Sequence, residues 1–231
     1  MKNIVIATIK EWNINNYFEL KKELENEYSL YLLTNKDELS FKNIEPINPK
    51  YIFFPHWSWI IPENIYKNYE CILFHMTDLP YGRGGSPLQN LIINKVYNTK
   101  ISAIKVSKEL DEGDVYLKED FDISKGSANE IYINASKLIF KKLIPNILRQ
   151  NPTPVRQEGD VVNFKRRTPE QSNIKMLNDV SIANLYDFIR MLDAPSYPKA
   201  YLELDNLKME LFEVIIKDGK LEGRFEVSKH E

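Results

Sequence analysis

Between residues 3 and 150, short apolar runs rich in β-branched residues alternate with stretches whose apolar residues recur at helical spacing. Residues 3–8, 28–33, 51–54 and 71–74 read as buried strands, and two more are expected at 102–106 and 115–121. Helical periods lie between them. Tyr17, Leu20 and Leu24 follow a cap at Asn15, and a short helix is expected after Ile61-Pro62 to about Tyr69. Ser86-Pro87 opens a helix through Leu88, Leu91 and Ile92. The capping box Ser127/Glu130 opens a long one with Ile131, Ala135, Leu138 and Leu143 inside. Residues 37–50 show no period and are expected to be loop. So is the stretch 80–87, which holds three of the chain's eight glycines. This alternation predicts an α/β fold, a Rossmann-like domain built on a mostly parallel sheet.

The composition shifts at Asn151-Pro152-Thr153-Pro154. Beyond it a short strand (161–164), a helix (182–192), a hairpin-like pair (200–204 with 209–216) and a last strand after Lys217-Asp218-Gly219-Lys220 are expected. The predicted organisation is a domain over 1–150 and a small β-rich α+β subdomain over 151–231. With 231 residues, 43% of them hydrophobic, the chain can bury one full core and a smaller module.

Charge excludes some partners. The net is −2, without the basic footprint of a nucleic-acid binder, so no nucleic-acid partner is expected. Cys71 is the single cysteine, which allows no internal disulfide and no paired-cysteine metal site; a reducing, cytoplasmic setting follows. The N-terminal apolar run turns polar by Lys10, unlike a signal peptide, and no run approaches the roughly 18 apolar residues of a membrane span.

Chemistry has few places to sit. Of three histidines, His230 is next to the C-terminus and reads as frayed surface. His56 and His75 each follow a strand, where open α/β sheets bind ligands. On position alone, each is equally a partly buried imidazole bonded to a loop carbonyl. Asp111, in Asp111-Glu112-Gly113-Asp114, belongs to a turn that closes at the same sheet edge, and on its own is ordinary turn chemistry. Arg83, among glycines, offers a planar fork to an anion or is a solvated loop charge. Trp57 and Trp59 line a pocket for a flat ring or pack in the core. The first strand is followed by no glycine-rich turn, which argues against a dinucleotide site, and no P-loop, Gly-x-Ser-x-Gly or His-Glu-x-x-His is present.

Phe74-His75-Met76-Thr77-Asp78-Leu79-Pro80, with Arg83-Gly84 and Pro87, resembles the signature of the formyltransferases that use 10-formyl-tetrahydrofolate. Leu110-Asp111-Glu112-Gly113-Asp114 resembles that family's second motif at about the expected separation. Phe164 to Glu170, Ile189-Arg190-Met191, Pro195 and Tyr197 to Tyr201 resemble segments of its sugar N-formyltransferase branch, and the wording from His75 to Asn90 a variant associated with pseudaminic acid and surface glycan synthesis.

The resemblance implies a folate co-substrate and no metal. It implies His75 and Asp111 as catalytic residues and the primary amine of an amino sugar as acceptor. The pterin is expected near Trp59, Ile60 and Ile61, held by backbone of Ser107, Lys108, Glu109, Leu110 and Asp111, with Arg83 beside the donor or an acceptor anion. The acceptor is expected past His56, Trp57, Thr77 and Tyr81, and a homodimer is a family-level expectation. Methionyl-tRNA or glycinamide ribonucleotide formyl transfer, or a non-catalytic binding role, are the alternatives. Against the tRNA acceptor stand the short chain after residue 150 and its lack of a basic second domain. One departure stands out: Leu73 occupies the place of the family's asparagine and cannot donate a hydrogen bond to an oxyanion. His56 is expected to take over that task.

Overall fold

The computed structural model describes residues 1–195 and 197–229, so the reading of His230 lies outside the described residues. A six-stranded sheet forms the base of the fold. Its strands are β1 (Lys2–Ala7), β2 (Tyr28–Leu33), β3 (Tyr51–Phe54), β4 (Cys71–His75), β6 (Asn98–Lys105) and β7 (Val115–Asp122), in the order β2-β1-β3-β4-β6-β7. Strands β2, β1, β3 and β4 pair in parallel, and β6 joins β4 antiparallel, so the expected mostly parallel Rossmann-like sheet is present. Val5, Ile52 and Cys71, each almost fully buried, lie in one core cluster with Phe54, Ile44 and Ile65. Burial on both faces is why these runs read as continuously apolar instead of alternating.

Several local expectations change. Helix α1 (Glu11–Leu24) starts behind Lys10, so Asn15 lies inside the helix and caps nothing. The buried residues Asn13, Tyr17, Leu20 and Leu24 mark its inner face. Residues 37–50 are not all loop: a 3₁₀ turn (Lys36–Glu38) and α2 (Phe41–Ile44) form there, too short to show a helical period. The helix after Pro62 is one turn, α3 (Glu63–Tyr66). Part of the glycine-rich stretch is the strand β5 (Tyr81–Gly84), paired with β8 (Val162–Phe164). A partner about eighty residues away in the chain is invisible to local pattern. Gly84 is needed there, since a Cβ would lie 2.4 Å from the Phe164 carbonyl oxygen. Ser86 precedes α4 (Pro87–Ile93) in a left-handed conformation without capping it; its Oγ accepts from Arg167 N–H at 3.1 Å instead.

The capping box at the next helix forms, with Ser127 N–H on Glu130 Oε2 at 2.8 Å and Glu130 N–H on Ser127 Oγ at 3.3 Å. That helix, α5 (Ala128–Leu138), passes through a π-helical stretch (Ile139–Leu143) into α6 (Ile144–Gln150). Ile131, Ala135 and Ile139 follow one another four residues apart on the buried face, and Leu138 is only half-buried.

Helix α7 (Ile182–Arg190) precedes an antiparallel sheet of β9 (Ala200–Leu204), β10 (Leu207–Lys217) and β11 (Lys220–Lys229). The expected β-rich C-terminal part is therefore present. The chain forms two compact units. One comprises residues 1–83, 99–121 and 133–163; the other comprises 84–98, 122–132 and 164–229 of the described residues. The boundary expected near residue 150 lies inside the first unit, which is interleaved with the second. Among the described residues no helix is long and apolar enough to cross a membrane.

Candidate active site

Strands β3 and β4 run parallel with Phe54 opposite Leu73; His56 follows the end of β3 by two residues, and His75 ends β4. His75, the last residue of β4, is buried. Its Nε2 lies 2.8 Å from the Gly82 carbonyl oxygen, and its Nδ1 lies 3.5 Å from Asp111 Oδ2. Both readings of this histidine are thus met in one side chain, a loop carbonyl on one nitrogen and a carboxylate by the other. The two neighbours are both acceptors, while a neutral imidazole carries one proton.

Asp111 comes from the loop between β6 and β7. Residues 107–110 of that loop are exposed, and Asp111 turns inward with φ +57° and is buried. Gly113 makes the turn possible: a Cβ there would fall 1.7 Å from the Lys105 carbonyl oxygen. The motif glycine is a close-approach glycine that seats the loop against β6.

His56 follows Pro55 with φ +52° and is half-buried. Thr8 Oγ1 donates to the Pro55 carbonyl at 2.7 Å, and Asn13 Nδ2 donates to Thr8 Oγ1 at 2.8 Å. The same amide nitrogen lies 3.2 Å from His56 Nδ1. Because it faces the Pro55 oxygen, which only accepts, this amide atom is the NH₂ and His56 Nδ1 is the acceptor. The ring proton therefore sits on Nε2. Burial, helped by the charge of Lys10, pushes this imidazole down to about 4 from 6.5, so it is neutral and a donor at physiological pH. Leu73, in the place of the family's asparagine, packs into the apolar clusters around Phe54 and Ile104.

The remaining expected residues divide. Trp57 packs edge-on against Phe54 and Trp59, at 5.9 and 4.9 Å between ring centres, with its indole N–H buried and without a hydrogen bond. With Leu39, Ser40, Ile60 and Pro62 it lines a cleft of about 280 Å³, near the lower end of small-molecule sites. Ile60 is almost fully exposed, Trp59 is exposed and does not line the cleft, and Ile61 is half-buried against the core. Ser107, Lys108, Glu109 and Leu110 are exposed, and Ser107 Oγ bonds the Glu109 carbonyl at 3.0 Å. Thr77 is fully buried, with its hydroxyl 3.4 Å from Gly82 O, and Tyr81 is half-buried.

Arg83 is placed differently from expectation. Its Nη1 pairs with Glu112 Oε1 at 2.9 Å, and its Nε and Nη2 donate to Gln157 Oε1 at 3.1 and 2.9 Å. The fork expected to meet an anion is engaged by these two side chains. Gln157 and Asn13 are the residues that sequence reasoning missed. Nothing in the local sequence of either marks it, because their partners are distant in the chain. Among the described residues no group of three or more His, Cys, Asp or Glu side chains could hold a metal ion.

Comparison with known proteins bears on this geometry. The solved structure of a methionyl-tRNA formyltransferase from Clostridium thermocellum is 49% identical, covers 99% of this chain and 100% of its own, and superposes with a TM-score of 0.95. The chain belongs to the formyltransferase family. Residues 169–228 match the family described as the methionyl-tRNA formyltransferase C-terminal domain. A methionyl-tRNA formyltransferase of Campylobacter jejuni subsp. doylei is 25% identical over 197 residues, 84% of this chain. The chain spans 63% of that relative, less than two thirds of its length. HypX from Aquifex aeolicus, solved in complex with tetrahydrofolic acid, shares 19% identity over 94% of this chain and 39% of its own, with a TM-score of 0.72, which shows the fold alone.

These findings correct the expected partners. The Clostridium thermocellum and Campylobacter jejuni proteins and the matched family carry the methionyl-tRNA description, against the expectation of an amino-sugar acceptor and no nucleic acid. Sugar N-formyltransferases share the fold at 14% and 15% identity, which supports nothing finer. The objection from the short chain also fails, since a structure covered over its whole length bears that description. Bulk charge misled because a net of −2 averages over the whole surface and is silent on any local patch.

Proposed function

We propose that the chain moves the formyl group of 10-formyl-tetrahydrofolate to the amino group of methionyl-tRNA in the cytoplasm. The observation that carries the reading is the 49% identity, over nearly the whole chain, to a methionyl-tRNA formyltransferase. The meeting of His75 and Asp111 at the sheet edge supports the chemistry.

The neutral amine attacks the formyl carbon, and negative charge develops on the formyl oxygen. His75, backed by Asp111, receives the amine proton. For this, Nε2 exchanges the Gly82 carbonyl for the substrate amine. The neutral His56, its proton on Nε2, donates to the oxyanion in place of the family's asparagine. The intermediate then collapses, the bond to the folate nitrogen breaks, and the proton held by His75 returns to that nitrogen. The cleft that Trp57 lines with Leu39, Ile60 and Pro62 suits the flat pterin. The second unit is assigned to acceptor binding.

The test is turnover of 10-formyl-tetrahydrofolate with methionyl-tRNA, free methionine and a panel of amino sugars. Formylation of methionyl-tRNA alone is expected. Formylation of an amino sugar alone overturns the acceptor, and no tetrahydrofolate release with any amine overturns the reaction.

A further inference from the structure

Residues 155–160 form an extended, exposed segment with one exception: Gln157 is half-buried and points back into the first unit. Its amide is fully used. Nε2 donates to the Asp111 carbonyl at 2.8 Å and to the Gly113 carbonyl at 2.8 Å, and Oε1 accepts twice from Arg83. Asp111 has a left-handed backbone and no regular strand pairing, so these two bonds hold the turn at both its ends. Arg83 adjoins Gly82, whose carbonyl faces His75 Nε2, and Arg83 also grips Glu112 inside the same turn.

We infer that Gln157 is a positioning residue for formyl transfer: it clamps the Asp111 turn to the Gly82-Arg83 strand and so sets the two acceptors that flank His75. The inference rests on His75 and Asp111 acting as proposed above. A side-chain amide is suited to the task because it donates to two carbonyls on one end and accepts from a guanidinium on the other. A carboxylate at this position keeps the Arg83 contact but turns acceptor oxygens toward the carbonyls of Asp111 and Gly113.

Gln157→Ala and Gln157→Glu separate this role from a merely structural one. Both are expected to lower kcat by about tenfold to a hundredfold, the scale of a displaced catalytic group, with the KM for the amine within about threefold of wild type. Both should also change the ¹⁵N imidazole signal of His75, which is resolvable because the chain has only three histidines. Gln157→Glu keeps its link to Arg83 and serves if the alanine variant fails to fold. A wild-type kcat in Gln157→Glu, or an unchanged His75 signal in a folded variant, overturns the inference. The spectrum needs neither donor nor acceptor, so a wild-type chain without formyl transfer would overturn the functional reading and still leave the clamp open to test.

Discussion

Among the described residues two buried acid–base pairs, His75–Asp111 and Arg190–Asp187, are built differently. In the second unit, Asp187 on α7 accepts from Tyr97 Oη at 2.6 Å, Lys95 Nζ at 2.9 Å and Arg190 Nε at 2.7 Å. Arg190, almost fully buried, also donates to the carbonyls of Ile123 and Gly126 at 3.0 Å each. Burial pushes the Asp187 carboxyl up, but the bonds from Tyr97, Lys95 and Arg190 and the charge of Arg190 outweigh it and hold it below its usual value. In the first unit, His75 and Asp111 stand 3.5 Å apart, at a separation longer than a made hydrogen bond, with one partner on a positive-φ turn. Asp187, bonded by three side chains, ties segments together, while Arg190 Nη2 is buried without a hydrogen bond. The His75–Asp111 pair is held at a longer separation, with its carboxylate on the turn that Gln157 bonds at 2.8 Å.

The contrast breaks most visibly at Arg190. Arg190→Ala removes a buried charged partner of Asp187 and should cost about 3–5 kcal/mol in urea unfolding, with kcat per folded molecule unchanged. A loss of kcat without loss of stability would show that the cluster is not structural. His75→Ala and Asp111→Asn should do the reverse, lowering kcat at least about a hundredfold while the thermal midpoint holds. Activity within tenfold of wild type in either would remove it from the reaction. His56→Ala should lower kcat by about a hundredfold, as loss of one oxyanion donor does; wild-type turnover would leave the oxyanion to another group.

His56 also has a signature in stability. Its folded-state value is depressed, to about 4 from 6.5, so between those values the unfolded chain takes up a proton that the folded chain refuses. Stability should therefore fall as pH is lowered through that window, and His56→Gln should flatten the fall in a pH series of denaturant midpoints. The smallest effect is expected at Lys95→Met. This partner of Asp187 is 45% exposed, and its loss should cost under about 1 kcal/mol because water and salt already screen it.

Much of the fold was legible along the chain. The buried strands at 28–33 and 51–54 coincide with β2 and β3, and the Ser127/Glu130 box forms, because each depends on neighbours within a few residues. The glycine-rich stretch was read as irregular because its strand character comes from β8, and Asn15 was read as a cap because α1 begins earlier, with Asn13 already inside it and tied to Thr8 and Pro55. His75 and Asp111 were visible as motif residues. The interleaving of the two units was not, since a chain can leave a core and return to it without any change in local pattern.

The amino-acid order by itself determined the α/β class, the parallel sheet edge and the residues offered to it, since strand burial and helix periodicity are local consequences of side-chain pattern. Only the tertiary structure decided which offers were taken. It brought Asp111 to His75, spent Arg83 on Glu112 and Gln157, and set the His56 proton on Nε2 through Asn13. Each of those outcomes depends on a polar contact between residues more than twenty-five positions apart, and such a contact exists only once the chain has closed the loop between them.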